Sequence, residues 1–201
     1  ESFRFINSTA SWSADGSNLV RLTNDRYADL MPVWSPDGST IAFTTDRGPD
    51  TDFDVLRFGN MRLATYDVGT GRIDIIPGMD HGKNVNPQWS PDGRALAYIS
   101  YRTGVSNIFL HSFDSGDSYQ LTDLYTGAQA ISALSPAISW ARDADVIAFV
   151  YYEKGDYNVY ALANPRGLAA EPWDPANRAL AWSTPPTRQA PDTTITNTGQ
   201  A

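Results

Sequence analysis

Pro87-Gln88-Trp89-Ser90-Pro91-Asp92-Gly93, followed two residues later by Leu96-Ala97-Tyr98, has an earlier counterpart in Pro32-Val33-Trp34-Ser35-Pro36-Asp37-Gly38 with Ile41-Ala42-Phe43 at the same spacing. A degraded copy, Trp140-Ala141-Arg142-Asp143-Ala144 with Ile147-Ala148-Phe149, keeps the register, and Trp12-Ser13-Ala14-Asp15-Gly16 begins a partial one upstream. Repeats of this kind decide an architecture before any local propensity does. Within the unit, Ser stands at turn position i, Pro at i+1 and Gly at i+3, the preferences of a type I turn. The unit therefore reads as a strand ending in Trp, a tight turn, and a second strand whose continuous apolar run suits burial on both faces.

The register continues past the second strand. Arg102-Thr103-Gly104 matches Glu153-Lys154-Gly155, and each leads into a third strand, Asn107-Ile108-Phe109-Leu110 or Asn158-Val159-Tyr160-Ala161. Gln120-Leu121-Thr122 ends a fourth, as Arg21-Leu22-Thr23 does upstream. This combination resembles the WD-like repeat of the TolB-type β-propeller family, and similar repeats occur in tricorn-type proteins and in the propellers of prolyl-oligopeptidase relatives. The resemblance spans about Thr9 to Leu162. It implies an all-β chain: a partial β-propeller of four-stranded antiparallel blades set radially around a channel, about three blades plus an N-terminal stub. Residues 1–162 are expected to form the blades and residues 163–201 a Pro/Thr-rich, irregular, extended tail.

Composition bounds the function. The chain has 201 residues, 41% hydrophobic, 12% aromatic and 19% charged, which suits one or two ordinary domains. A net charge of −8 repels phosphate backbones and anionic lipid, which argues against nucleic-acid partners. The absence of cysteine excludes disulfides, thiolate metal sites and cysteine nucleophiles. No apolar run approaches the roughly 18 residues of a membrane span. The sequence opens at Glu1 without an initiator Met or a signal peptide, which predicts a processed or partial chain.

Three departures from the repeat carry further information. The interval from Gly16 to Thr23 is much shorter than that from Gly93 to Thr122, which predicts a missing segment near 16–20. The first complete blade carries an insertion at 49–60, and a propeller loop longer than its siblings is where function concentrates. Asp50, Asp52 and Asp54 alternate there like the start of a calcium loop, but Val55 stands where the required Gly belongs and Met61 where the bidentate Glu belongs. The stretch is read as a solvated acidic loop without metal, pinned by Phe53 and Phe58 onto its own blade or a partner. The third departure is the tail: Asp174-Pro175 has the form of a helix start running through Trp182. Trp173 and Trp182 are expected to act as apolar anchors in grooves of this protein or a neighbour. Phe53, Phe58, Trp173 and Trp182 are thus the candidate partner-binding residues.

Nothing in the sequence forms a catalytic constellation. His81 lies in an inter-blade connection and His111 inside a third strand, neither with a partner motif. There is no Gly-x-Ser-x-Gly elbow, P-loop, dinucleotide fingerprint or His-Glu-x-x-His. Asp37, Asp92 and Asp143 recur once per blade and read as turn formers. No catalytic residue, metal or cofactor is expected. Too few blades are present to close a ring, which predicts a longer polypeptide or cover by another subunit. The resemblance implies a periplasmic or extracytoplasmic protein–protein interaction module, an accessory subunit on a larger, membrane-bound assembly. Two other readings stand beside it: the gating propeller of a peptidase whose catalytic domain lies elsewhere, and a glycan or small-ligand binder.

Overall fold

The computed structural model describes residues 10–11, 20–132 and 136–174. The upstream Trp12–Gly16 turn, the helix expected after Asp174 and Trp182 all lie outside these residues.

Four antiparallel sheets follow one another along the chain. A short ladder pairs β1 (Ala10–Ser11) with β2 (Val20–Arg21). The first blade is β3 (Asp29–Trp34), β4 (Thr40–Thr45), β5 (Arg62–Asp67) and β6 (Ile73–Ile75), in that spatial order. The second is β7 (Asn84–Trp89), β8 (Ala95–Ser100), β9 (Asn107–Ser112) and β10 (Ser118–Gln120). The third has three strands among the described residues: β11 (Ile138–Trp140), β12 (Val146–Glu153) and β13 (Asp156–Ala163). A single 3-10 turn, Pro165–Leu168, follows. The expected all-β partial propeller is what forms.

The Ser-Pro-Asp-Gly turn explains why each blade starts as it does. Ser35 Oγ donates to Asp37 Oδ1 at 2.6 Å and accepts from Thr40 N at 3.0 Å, while Gly38 N closes on Ser35 O at 3.0 Å. Ser90, Asp92, Ala95 and Gly93 repeat the network at 2.6, 2.9 and 2.9 Å. Gly38 and Gly93 both sit at φ 72°, a conformation that costs a side-chain-bearing residue energy and glycine almost none. The hydrogen bond from Ser35, then those from Ser39, hold the Asp37 carboxyl down to about 2. The third copy lacks both Ser and Gly. There Trp140 Nε1 donates to Asp145 at 3.2 Å, whereas Trp89 Nε1 donates to a backbone carbonyl.

The first strands of the first two blades also bulge immediately before a proline. Register shifts between Leu30 and Val33 and between Val85 and Gln88, with Met31 at φ 54° and Asn86 at φ 57°. Asn86 Oδ1 then accepts the amide of Ala137 at 2.8 Å, so the bulge of one blade pins the entry to the next.

Core packing follows the two faces of the second blade. Leu96, Tyr98 and Phe109 face the first blade, where they meet Ala42, Leu63, Ile76 and Met79. Ala97, Ile99, Ile108 and Leu110 face the third, meeting Ile138, Trp140, Ile147 and Phe149. The uninterrupted apolar run of β8 is therefore an ordinary alternation with both faces covered. Fully buried side chains of this size contribute about 1.5–3 kcal/mol each. Trp89 adds a directional link: its Nε1 donates to Val33 O of the first blade at 3.2 Å, and its ring stacks on Phe113.

Candidate interaction site

The insertion between β4 and β5 is a braced structure. Asp52 and Arg57 exchange backbone hydrogen bonds at 2.8 Å each, closing a small hairpin whose tip is Phe53–Leu56. Asp52 Oδ1 accepts the Asp54 amide at 2.9 Å, and Leu56 completes the reversal at φ 54°. At the base, Asp50 accepts the Asn60 amide at 2.8 Å and pairs with Arg62 at 2.7 Å, while Thr51 Oγ1 receives the Gly59 amide at 3.0 Å. Asp50 and Asp52 thus serve the loop's own backbone, each turned to a different partner.

Phe53 points back toward the blade. Its ring lies 5.1 Å from Tyr27 in an edge arrangement, with the Arg26 guanidinium 4.4 Å above it. Phe58 faces outward with 55% of its surface exposed, next to Val55 and Leu56 at 69% each. The two phenylalanines therefore divide: one pins the loop, the other joins an aliphatic tip that sequence inspection of aromatics alone did not include.

Trp173 reaches a different place. Its amide donates to Ser118 O at 2.7 Å, and the half-buried ring lies 6.3 Å from Phe109 and 6.1 Å from His81. The Arg102 guanidinium stands over that ring and over Phe109 at 4.8 Å each, and over Tyr98 at 5.6 Å. Arg102 Nε donates to Ser100 Oγ at 2.9 Å, and Nη2 to Asn84 Oδ1 at 3.0 Å and Tyr98 Oη at 2.9 Å. Sequence reading passed over Arg102; its recurrence as Arg47 was the available signal.

In the first blade the equivalent guanidinium, Arg47, has quite different company. It pairs with Asp29 and Asp25, bonds Thr45 Oγ1 at 2.8 Å, and stands 5.2 Å over Tyr27. Burial pulls Arg47 down, but the hydrogen bonds and charges of Asp29 and Asp25 outweigh it and leave its pKa raised. For Arg102 burial prevails and the pKa is lowered.

Of the two histidines, His81 is exposed on the connection into β7. His111 is buried, with Nδ1 3.3 Å from Ser118 Oγ and its ring edge-on to Phe113 at 5.1 Å. Burial lowers it from its ordinary 6.5 to about 4, so it is neutral at physiological pH.

No protein-family model matches the chain. A TolB homologue of Chlorobium luteolum is 30% identical over 152 residues, covering 76% of this chain and 30% of that protein. Dipeptidyl-peptidase 5 of Porphyromonas gingivalis is 23% identical over 139 residues, 67% of this chain and 19% of the peptidase. A solved structure from Agrobacterium tumefaciens described as a candidate TolB superposes with a TM-score of 0.56 at 22% identity, covering 76% of this chain and 51% of that one. The chain spans about 30% or less of the length of these curated relatives. The chain aligns with a TolB homologue over 76% of its own length, and its described blades are TolB-type β-propeller blades.

Proposed function

We propose that this chain is a non-catalytic protein–protein interaction module, an accessory subunit docked on a larger, membrane-bound assembly outside the cytoplasm. The observation that carries the proposal is the tip of the first blade's insertion. Val55 and Leu56 are exposed at the tip of a hairpin closed by Asp52 and Arg57 and anchored by Phe53, and Phe58, one residue beyond the hairpin, is more than half exposed. An apolar tip held rigid before contact loses little entropy on binding, which is how a small loop gains useful affinity. The TolB relationship supports the periplasmic setting and a protein partner. No described helix is long and apolar enough to cross a membrane.

The test is site-specific photocrosslinking in the organism of origin, with benzoylphenylalanine at position 56 of the full-length protein. One dominant protein adduct is expected, lost when Phe58 is changed to Ser and absent when the probe sits at the exposed Tyr125. Equal labelling at 56 and 125, or none, overturns the proposal.

The similarity to dipeptidyl-peptidase 5 over 67% of the chain favours a second reading, in which the blades gate access to a hydrolase domain of the same polypeptide. A Gly-x-Ser-x-Gly motif in the continuous reading frame would decide for it.

A further inference from the structure

Arg47, Arg62, Arg94 and Arg166 each lie against an aspartate. Arg102 does not. Among the described residues its hydrogen-bond acceptors are Ser100, Asn84, Tyr98 and the sulfur of Met79, all neutral. Dipoles and ring faces offset part of the cost of drawing a guanidinium from water, but they leave its charge uncompensated.

The first blade shows what compensation looks like at this position. Asp29 there occupies the place that Asn84 takes in the second blade, and it supplies the carboxylate directly to Arg47. Asn84 instead uses its amide nitrogen to hold the connection into β7, through Met79 O at 3.1 Å and Gly82 O at 3.2 Å. The second blade keeps the cation, the hydroxyl partner and the aromatic surround, and exchanges the counter-charge for an anchor.

The remaining donor geometry is specific. Nε and Nη2 of Arg102 are engaged, whereas Nη1 donates to no protein acceptor and is not among the buried, unsatisfied atoms. Trp173 and Phe109 flank the guanidinium, and His81 and Lys83 form an exposed rim on the adjoining connection. We propose that Arg102, framed by Trp173, Phe109 and His81, binds a carboxylate at its free Nη1 edge. One cation among rings suits a monoanion with an apolar body; a chain of net charge −8 disfavours multiply charged anions. Arg102, Trp173, Phe109 and His81 all lie outside the 49–60 insertion, so the proposal stands whether or not that insertion binds a partner.

The experiment titrates the full 15N-labelled chain at constant ionic strength with acetate, with an N-acetyl dipeptide acid, and with the corresponding dipeptide amide. The Arg102 Nε–H and Trp173 indole resonances report binding. Saturable shifts are expected with acetate and the dipeptide acid and not with the amide. Arg102→Gln should abolish them, and His81→Glu, an exposed change that leaves the fold alone, should weaken them by about tenfold through like-charge repulsion. Dipeptide acid binding about tenfold tighter than acetate identifies a peptide C-terminus as the source, and equal binding a free small acid. Shifts that never saturate, that appear equally with chloride or the amide, or that are unchanged in His81→Glu overturn the proposal.

Discussion

Arg102 donates to Asn84 Oδ1 at 3.0 Å, across the same two positions at which Arg47 pairs with Asp29 one blade earlier. One geometric slot in the repeat is thus filled by an ion pair in the first blade and by a charge–dipole contact in the second. Asn84 gains the anchoring of its neighbouring connection in exchange; Asp29 has no amide to give.

Asp29→Asn transfers the second blade's solution to the first without that benefit. Arg47 keeps Asp25 but loses its buried carboxylate, and the new amide nitrogen points its hydrogens toward a cation. We expect a loss of about 2–4 kcal/mol, read from the midpoint of urea unfolding. A change within experimental error would mean that Asp25 alone neutralises Arg47.

His111 gives the chain a pH dependence of defined sign. Its folded pKa of about 4 lies below the ordinary 6.5, so between those values the unfolded chain binds more protons than the folded one. The stabilisation is fully present above pH 6.5 and is lost as pH falls through 4. His111→Gln, which keeps a partner for Ser118, should flatten the stability profile over that window by on the order of 2–3 kcal/mol relative to the parent. Parallel profiles would refute the assignment.

Ser90→Ala removes the hydroxyl that serves both Asp92 and the Ala95 amide inside the second blade's turn. Ser90 is fully buried, so the Ala95 amide is left without a partner, at a cost of about 1–3 kcal/mol. Ser35→Ala should cost less, because Thr40 is nearer to solvent. Chemical denaturation of the two variants side by side checks the order.

Much of this arrangement was legible because the repeat writes its turn chemistry into consecutive residues. Ser-Pro-Asp-Gly specifies the hairpin, and the shared register then places third strands that no propensity scale would have ordered. The third copy shows the limit: with Ser and Gly gone, its Trp140 bonds Asp145, two residues beyond the aligned Asp143, a contact the repeat does not encode. The candidate site was only half visible. Phe53 and Phe58 were found as aromatics among charges, but which one turns inward depends on Arg26 and Tyr27, more than twenty residues away in sequence. The same holds for Trp173, whose partners come from the turn after β8, from β9 and β10, and from the connection into β7. Trp182 lies outside the described residues.

The outer edge of β13 pairs with no described strand, although the strand runs eight residues and pairs fully with β12 on its inner side. Tyr157 and Val159 stand exposed along it, and its charges, Lys154 and Asp156, are confined to the hairpin end. An extended backbone without a charged gatekeeper at mid-strand is a template for any other extended backbone, including a second molecule of the same kind. Concentrated preparations of this chain should therefore grow intermolecular sheet through β13, and a single lysine in place of Val159 should keep them monodisperse in light scattering.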